Sequence, residues 1–219
     1  MVTFEQIKND KAIQTYIISA DESLRALGYT EHSFAHVTQV AERVGEILTA
    51  VGCGERMADL GRIAGFMHDI GNLVNRSDHS QSGAVMAFRI LDNMGMEPEE
   101  IALVVTAIGN HDEGTGVPVN ALAAALILAD KSDVRRNRVR NKDDIKNDIH
   151  DRVNYSVVDS SFKLDPDGKT LTLSLVIDTG ISSLIEYFEI FTERMMLCRR
   201  AADKLGLIFK LEINGQGFI

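Results

Sequence analysis

The chain has 219 residues, of which 45% are hydrophobic and 25% are charged, and its formal net charge is −9. This length and composition are those of a globular protein with one domain and an appendage, or with two small domains, and they exclude a largely disordered chain. A negative chain repels long polyanions, so nucleic acid is not favoured as a partner. A small phosphorylated substrate is compatible with this charge, because it responds to local cations and metal ions.

The cysteine content and the first residues predict a cytoplasmic protein. Two isolated cysteines, Cys53 and Cys198, form no disulfide framework. The polar start MVTFEQIKND has no basic segment followed by an apolar one, so we expect no signal peptide. The longest strongly apolar run, residues 121–129, is far too short to span a membrane, and we expect no membrane partner.

Helical periodicity dominates the first 130 residues. One or two helices are predicted over residues 3–28, and another runs to about Ala50, with Thr30 or Ser33 as its N-cap. Further helices are predicted over residues 56–70, 78–95, 97–110 and 119–130. Gly71 is expected to end the helix that precedes it.

The pattern changes near residue 150. Two β-like segments are predicted over residues 153–164 and 170–178, with a turn over residues 165–169 between them. A long amphipathic helix over residues 181–205 and a last strand over residues 207–213 follow. The sequence therefore predicts a mainly α protein, with a helical domain over residues 1–150 and a small β-β-α-β unit over residues 151–219. That unit shows no readable chemistry. It would pair strands with a second copy to form a homodimer, cover the site, or bind a regulator.

Histidines and aspartates stand at the ends of three apolar helices. His68 and Asp69 end the predicted helix 56–70, His111 follows the run IALVVTAIGN, and Asp130 follows ALAAALILA. A carboxylate delivered by a largely apolar helix is costly to bury unless a cation meets it. These positions are therefore candidates for metal binding.

His32 and His36 add a further pair of imidazoles. They are four residues apart, so a helix would place both on one face. Neutral imidazole and carboxylate together suit borderline transition metals such as iron, manganese, zinc or cobalt. No cysteine joins the set, so a site with open positions is favoured over a closed structural zinc-thiolate site.

The set of His36, His68-Asp69 and Asp130 resembles the H…HD…D signature of the HD superfamily. The segment FMHDIGN, residues 66–72, is similar to the HDIG form of its central motif. The resemblance spans residues 30–135. It implies a helical bundle and the metal-dependent hydrolysis of phosphate esters or anhydrides.

Two further histidine segments resemble those of binuclear members of the superfamily: HSQSG from His79 and AIGNHDEG around His111. Six ligands are too many for one metal with open positions, so we expect two divalent transition metal ions, bridged by Asp69, with attack on phosphorus by the water or hydroxide between them. His68 and Asp69 would then serve catalysis as well as metal binding. With His32 as a direct or supporting residue, the candidate ligands are His32, His36, His68, Asp69, His79, His111 and Asp130.

Two enzyme branches remain open. The loop Gly114-Thr115-Gly116-Val117-Pro118 resembles that of the HD-GYP cyclic-dinucleotide phosphodiesterases, except that Val117 replaces their tyrosine. The segments from His79 to Ala84 and from His111 to Gly114 resemble those of bacterial diadenosine-tetraphosphate hydrolases. A third alternative, a metal and nucleotide sensor without turnover, is suggested by Asn72, which stands where many HDIG proteins carry lysine.

Because of Asn72, another cation is expected to bind the substrate phosphate. The stretch after Asp130 offers Lys131, Arg135, Arg136, Arg138, Arg140 and Lys142. Arginine forks suit phosphate oxygens, and Arg135 and Arg136 are the candidates for this role, with Arg76 as a second source. His150 and Asp151 repeat the letters HD without an apolar helix before them, and we interpret them as surface residues.

Overall fold

The computed structural model describes residues 1–140, 145, 148–166 and 168–218. Helices form most of it, which confirms the predicted mainly α class. The helices before residue 140 are α1 (Phe4–Asn9), α2 (Lys11–Ala26), α3 (Phe34–Ala50), α4 (Glu55–Met67), α5 (His79–Asn93), α6 (Pro98–Gly109) and α7 (Ala121–Lys131). Their buried faces form the core, and α7 is buried over almost its whole length.

Ser33 caps α3, while the competing candidate Thr30 does not. The Ser33 side chain accepts a hydrogen bond from the backbone N–H of Ala35, which is one of the unpaired donors at a helix N-terminus. His32 therefore lies before the helix. The prediction that His32 and His36 share one helix face is wrong for this reason. The two imidazole rings are nevertheless neighbours, with centroids 5.4 Å apart.

The helix before Gly71 ends earlier than predicted, and Gly71 does not terminate it. Helix α4 stops at Met67, and a short 3-10 helix follows at Ile70–Leu73. A Cβ atom on Gly71 would lie 2.0 Å from the carbonyl oxygen of His79 and 2.4 Å from the amide nitrogen of Gly83. Gly71 is thus required for the close packing of the 3-10 helix against α5.

The C-terminal part contains α8 (Ile149–Ser156), β1 (Val157–Leu164), β2 (Thr170–Ile177), α9 (Leu184–Lys204), β3 (Ile208–Ile213) and β4 (Gln216–Gly217). The strands form one sheet in the order β1-β2-β3-β4. The β1–β2 and β3–β4 pairs are antiparallel, whereas β2 and β3 are parallel because α9 forms the crossover between them. The prediction of strand from residue 153 is wrong for residues 153–156, which are helical, and β4 was not predicted.

The C-terminal unit packs directly on the helical part. Helix α9 lies against α7, and buried residues of both belong to one continuous core, for example Leu128 and Leu197. The division into two domains at residue 150 stays a prediction. Among the described residues, no helix combines the length and apolar character needed to cross a membrane.

Candidate metal centre

Five helices deliver the predicted ligands to one place. His36 lies in the first turn of α3, His79 is the first residue of α5, and Asp130 lies in the last turn of α7. His68 and Asp69 directly follow α4. His111 follows α6, and all of these side chains are largely withdrawn from solvent.

One oxygen of Asp69 faces a first group of histidines. Its Oδ2 atom lies 3.2 Å from Nε2 of His68 and 3.6 Å from Nε2 of His36. Asp130 closes this group, because its Oδ1 atom lies 3.4 Å from Nε2 of His36 and 3.6 Å from Nε2 of His68. His36, His68 and Asp130 can therefore offer their ligand atoms to a single ion.

The other oxygen of Asp69 faces a second group. Its Oδ1 atom lies 3.4 Å from Nε2 of His79 and 3.9 Å from Nε2 of His111. These two Nε2 atoms are 3.2 Å apart. The ligand atoms of His68, Asp69 and His111 also lie close enough together to hold an ion.

His32 is more peripheral. Its Nε2 atom is 4.0 Å from Oδ2 of Asp69, at the edge of the first group. Its Nδ1 atom lies 2.8 Å from the carbonyl oxygen of Thr30, and its backbone N–H donates to Asp21. The loop before α3 is thereby held so that His32 reaches the centre without belonging to the helix.

Backbone carbonyls orient most of the imidazoles. The Nδ1 atom of His68 lies 2.8 Å from the carbonyl oxygen of Gly65, and that of His111 lies 2.6 Å from the carbonyl oxygen of Ile108. A carbonyl accepts only from a protonated Nδ1, so the Nε2 lone pair of the neutral ring points towards the centre. This tautomer is the one that binds metals through Nε2.

Asp133 orients His36 and was not among the predicted site residues. Its Oδ2 atom lies 2.7 Å from Nδ1 of His36, and its side chain is fully buried. Burial alone raises the pKa of Asp133, but the hydrogen bond with His36 and the charge of Arg138 outweigh it and hold that pKa below its ordinary value. The signal in the sequence is its position three residues, one helical turn, after Asp130.

The electrostatics and the unpaired atoms show that this donor set fits cations. Burial lowers the pKa of His68, but the adjacent Asp69 and Asp130 carboxylates prevail and raise it to about 10. The Nε2 atoms of His36 and His68 are buried and, among the described residues, have no hydrogen-bond partner. Buried polar atoms without a partner are costly, and a divalent metal bound by imidazole and carboxylate would satisfy them.

Asn72 connects the centre to a cation. Its Nδ2 atom donates to the backbone oxygen of Asp69 at 2.9 Å and to Oδ1 of the same residue at 3.0 Å. Its Oδ1 atom accepts from Nη1 of Arg76 at 3.4 Å. The Arg76 guanidinium lies over the ring of Tyr29, and its Nη1 atom is 3.4 Å from Nε2 of His79. Asn72 therefore orients both a candidate ligand and a cation that lines the adjacent cavity.

A cavity of about 330 Å³ opens over the centre. Its described lining includes six carboxylates and four cationic side chains. The carboxylates are Asp69, Asp112, Glu113, Asp130, Asp148 and Asp151, and the cations are Arg76, Lys131, Arg138 and Arg194. The exposed His150, interpreted from the sequence as a surface residue, is also part of this lining. The same interpretation is wrong for Asp151, which is buried.

Arg135 and Arg136 are not part of this cavity. Arg135 donates two hydrogen bonds to Asp133, and Arg136 donates to the backbone oxygen of Tyr155 and stacks on its ring. Both line a separate groove beside β1. The chain turns away after α7, so proximity to Asp130 in sequence does not bring them to the centre, and their role in substrate binding stays a prediction without support from the geometry.

Four further basic candidates follow Asp130, of which Lys131 and Arg138 line the cavity. Arg140 pairs with Asp21. Lys142 lies outside the residues that the structure describes.

The glycine loop has a structural explanation. A Cβ atom on Gly116 would lie 2.5 Å from the carbonyl oxygen of Asp112, 2.9 Å from that of Asn110 and 3.2 Å from Cδ2 of Leu197 on α9. Gly116 is therefore required for packing of the loop. Its presence does not by itself favour the cyclic-dinucleotide branch.

Comparisons with known proteins agree with this architecture. The HD domain family model matches residues 29–141, just over half of the chain. The chain therefore belongs to the HD domain family, whose fold is that of the HD superfamily of metal-dependent phosphohydrolases. Helices α8 and α9 and the sheet lie outside the matched residues.

Two relatives extend the comparison. An uncharacterized protein of Methanocaldococcus jannaschii is 28% identical over 162 residues, which are 64% of this chain and 62% of that protein. The chain thus spans less than two thirds of that relative's length. A crystal structure of a predicted HD superfamily hydrolase from an uncultured Thermotogales bacterium is 22% identical, with a TM-score of 0.43 over 62% of this chain and 75% of that one.

Proposed function

We propose that this protein is a binuclear phosphohydrolase that cleaves a phosphate ester or anhydride of a small nucleotide in the cytoplasm. The observation that carries the proposal is the division of Asp69 between two groups of histidines. Its Oδ2 atom faces His36 and His68, while its Oδ1 atom faces His79 and His111. A carboxylate that presents one oxygen to each of two ligand groups is suited to bridge two ions.

The residues would share the metals as follows. His36, His68 and Asp130 would hold one ion with Oδ2 of Asp69, and His79 and His111 would hold the other with Oδ1. Divalent ions in such a pair polarise phosphoryl oxygens and lower the pKa of a bound water. The described protein ligands are too few to saturate two ions, so positions stay open for substrate.

The charge of the cavity makes substrate binding depend on the metals. Carboxylates outnumber cationic side chains in the described lining, so without ions the cavity repels a phosphate. Two divalent ions would reverse the sign. A cavity of about 330 Å³ is at the lower end of the range for small-molecule sites, which suits a small phosphorylated compound better than a polymer.

Arg76 is suited to orient the phosphate beside the second ion. Asn72 and the ring of Tyr29 hold its guanidinium, and its Nη1 atom lies 3.4 Å from His79. A planar fork at this position matches two phosphate oxygens. Arg76 thus offers the cation that the sequence lacks at position 72.

A nucleotide is favoured over a cyclic dinucleotide as the substrate. The segments from His79 and His111 resemble those of diadenosine-tetraphosphate hydrolases, while the resemblance of the glycine loop to the HD-GYP enzymes is weakened by the packing requirement at Gly116. The sensor alternative is weakened as well, because Asn72 orients Asp69 and Arg76 where a lysine is absent.

Turnover with a panel of nucleotides, dinucleoside polyphosphates and cyclic dinucleotides, in the presence of Mn²⁺, tests the proposal. We expect one class to be hydrolysed, and Asp69→Ala to abolish that activity. Asp92→Ala removes an exposed carboxylate on α5 and is the matched control, since Asp92 contacts only Arg89 among the ion pairs of the described chain. If a member of the panel binds tightly and none is hydrolysed, the result would contradict the proposal of an enzyme and support the sensor alternative.

A further inference from the structure

Helix α9 reaches the cavity, although it lies outside the residues that match the HD domain. Phe191 and Arg194 of this helix are part of the cavity lining. The Arg194 guanidinium lies over the Phe191 ring, 4.3 Å from its centroid. The C-terminal unit, in which the sequence shows no chemistry, therefore contributes an arginine to the candidate site.

A chain of alternating charges fixes Arg194 relative to the metal centre. Nζ of Lys131 lies 2.6 Å from Oδ2 of Asp130 and 3.9 Å from Oε1 of Glu113. The same Glu113 oxygen accepts a hydrogen bond from Nε of Arg194 at 2.6 Å. Arg194 is thus held on the Asp130 side of the centre, whereas Arg76 is held on the His79 side.

Arg194 also has donors to offer. Its hydrogen bond to Glu113 uses Nε, and its two terminal nitrogens donate to no residue in the described part of the chain. Arg138, by contrast, uses Nε and Nη1 on the backbone oxygens of Glu31 and Asp133. Lys131 lies between two carboxylates. Of the cations on this side of the cavity, Arg194 is therefore the one best placed to bind a ligand.

We propose that Arg194 binds a second anionic group of the substrate, separate from the phosphate at the metals, so that the substrate carries at least two phosphate groups. This inference rests on the proposed function, because the metals would hold the first phosphate. Stacking on Phe191 and the bond to Glu113 fix the plane of the guanidinium, which lowers the entropy lost when a phosphate binds its terminal nitrogens. Arg194 would then determine specificity for a nucleoside polyphosphate over a monophosphate ester.

Equilibrium binding of two simple anions tests the role of Arg194 without requiring turnover. The protein is loaded with Mn²⁺, freed of excess metal by gel filtration, and titrated calorimetrically with inorganic pyrophosphate or inorganic phosphate, with metal content measured before and after. For Arg194→Met we expect pyrophosphate affinity to fall about 10- to 100-fold, as for the loss of charge-assisted hydrogen bonds, and phosphate affinity to change less than about threefold. Arg194→Lys keeps the charge without the planar fork, and its pyrophosphate affinity should lie between those of the parent and of Arg194→Met.

Arg200→Met is the matched control, because it removes an exposed arginine of the same helix that does not line the cavity. Denaturation midpoints are compared for all variants. If Arg194→Met does not fold, the affinities for pyrophosphate and phosphate are compared in Arg194→Lys and Glu113→Gln instead. A parallel loss of both anions, or unchanged pyrophosphate affinity, would overturn the inference. If Arg194→Met selectively loses pyrophosphate affinity but the parent shows no hydrolytic activity, only the proposed function fails. If the parent hydrolyses nucleotides and Arg194→Met shows no such loss, only this inference fails.

Discussion

The Nδ1 atom of His36 lies 2.7 Å from Oδ2 of Asp133, and both side chains are excluded from solvent. A carboxylate on one nitrogen of an imidazole fixes the orientation of the ring and makes the other nitrogen a better metal ligand. Asp133 is itself held by two hydrogen bonds from Arg135 and one ion pair with Arg138. Arg135 and Arg138 thus act on the centre through Asp133.

We predict that Asp133→Asn lowers metal affinity or activity about 10- to 100-fold, because an amide carries no charge to hold the imidazole. Competition with a chromophoric chelator measures the affinity. The exposed Asp92→Asn serves as the control and should match the parent. A folded Asp133→Asn protein with the parent's affinity and activity would contradict the role of Asp133.

The two-metal arrangement predicts that His79→Ala and His111→Ala each lose one metal per chain while the other metal and the fold persist. The lost imidazole belongs to the group that faces Oδ1 of Asp69. Elemental analysis by mass spectrometry after purification without chelators gives the metal content. Activity should fall by several orders of magnitude, because one cation alone would remain at the site.

His150→Ala is the matched control for metal content alone, since His150 is an exposed histidine of the cavity lining that forms no ion pair with Asp69 or Asp130 in the described part of the chain, and both metals should stay bound. His32→Ala is expected to have a milder effect, because His32 lies at the edge of the first group. Unchanged metal content in both His79→Ala and His111→Ala would show that the two-metal arrangement is wrong.

Gly71→Ala is predicted to destabilise the protein by roughly 1–3 kcal/mol or more, since the added methyl group overlaps the backbone of His79 and Gly83. Because His79 begins α5, metal content should fall as well. Urea denaturation measures the change. Gly217→Ala adds the same methyl group where no atom lies within 4 Å and should leave the midpoint unchanged. A parent-like midpoint for Gly71→Ala would refute the packing argument.

Stability should depend on pH through Glu186. The backbone N–H of Ser183, the Arg152 guanidinium and the Ser182 hydroxyl all donate to its carboxylate and lower its pKa from 4.5 to about 2. Since the folded-state pKa is depressed, the stabilisation is present above the unfolded pKa of 4.5 and is lost as pH falls towards about 2.

Glu186→Gln measures this contribution. The difference in urea midpoint between the parent and Glu186→Gln should be largest near about pH 6 and should shrink towards about pH 3, because the carboxylate of the unfolded parent becomes protonated there while that of the folded parent stays ionised. An equal difference at both pH values would mean that the ionised form of Glu186 does not stabilise the fold.

Local sequence patterns are enough to predict the helical class and the approximate bounds of most helices and strands. Apolar residues at helical spacing define α3, and alternation defines β2, because burial on one side imposes a period on the sequence. Helix α7 is instead marked by an unbroken apolar run. The sequence also marks Asp69 and Asp130, since a carboxylate that follows a long apolar run is conspicuous among its neighbours in the chain. That all of these side chains meet follows from the packing of the helices.

The side chains that orient the candidate ligands, and the arginine that reaches the cavity from α9, could not be predicted from local patterns. Asp133 and His36 are 97 residues apart, and Arg194 and Glu113 are 81 residues apart, so no local pattern relates them. Their closeness to Asp130 in sequence makes Arg135 and Arg136 candidates for the site, but the turn after α7 places them in a separate groove. Local periodicity records which residues are buried, whereas the partners of a buried charge depend on how distant helices pack, because Coulomb interactions act through space and not along the chain.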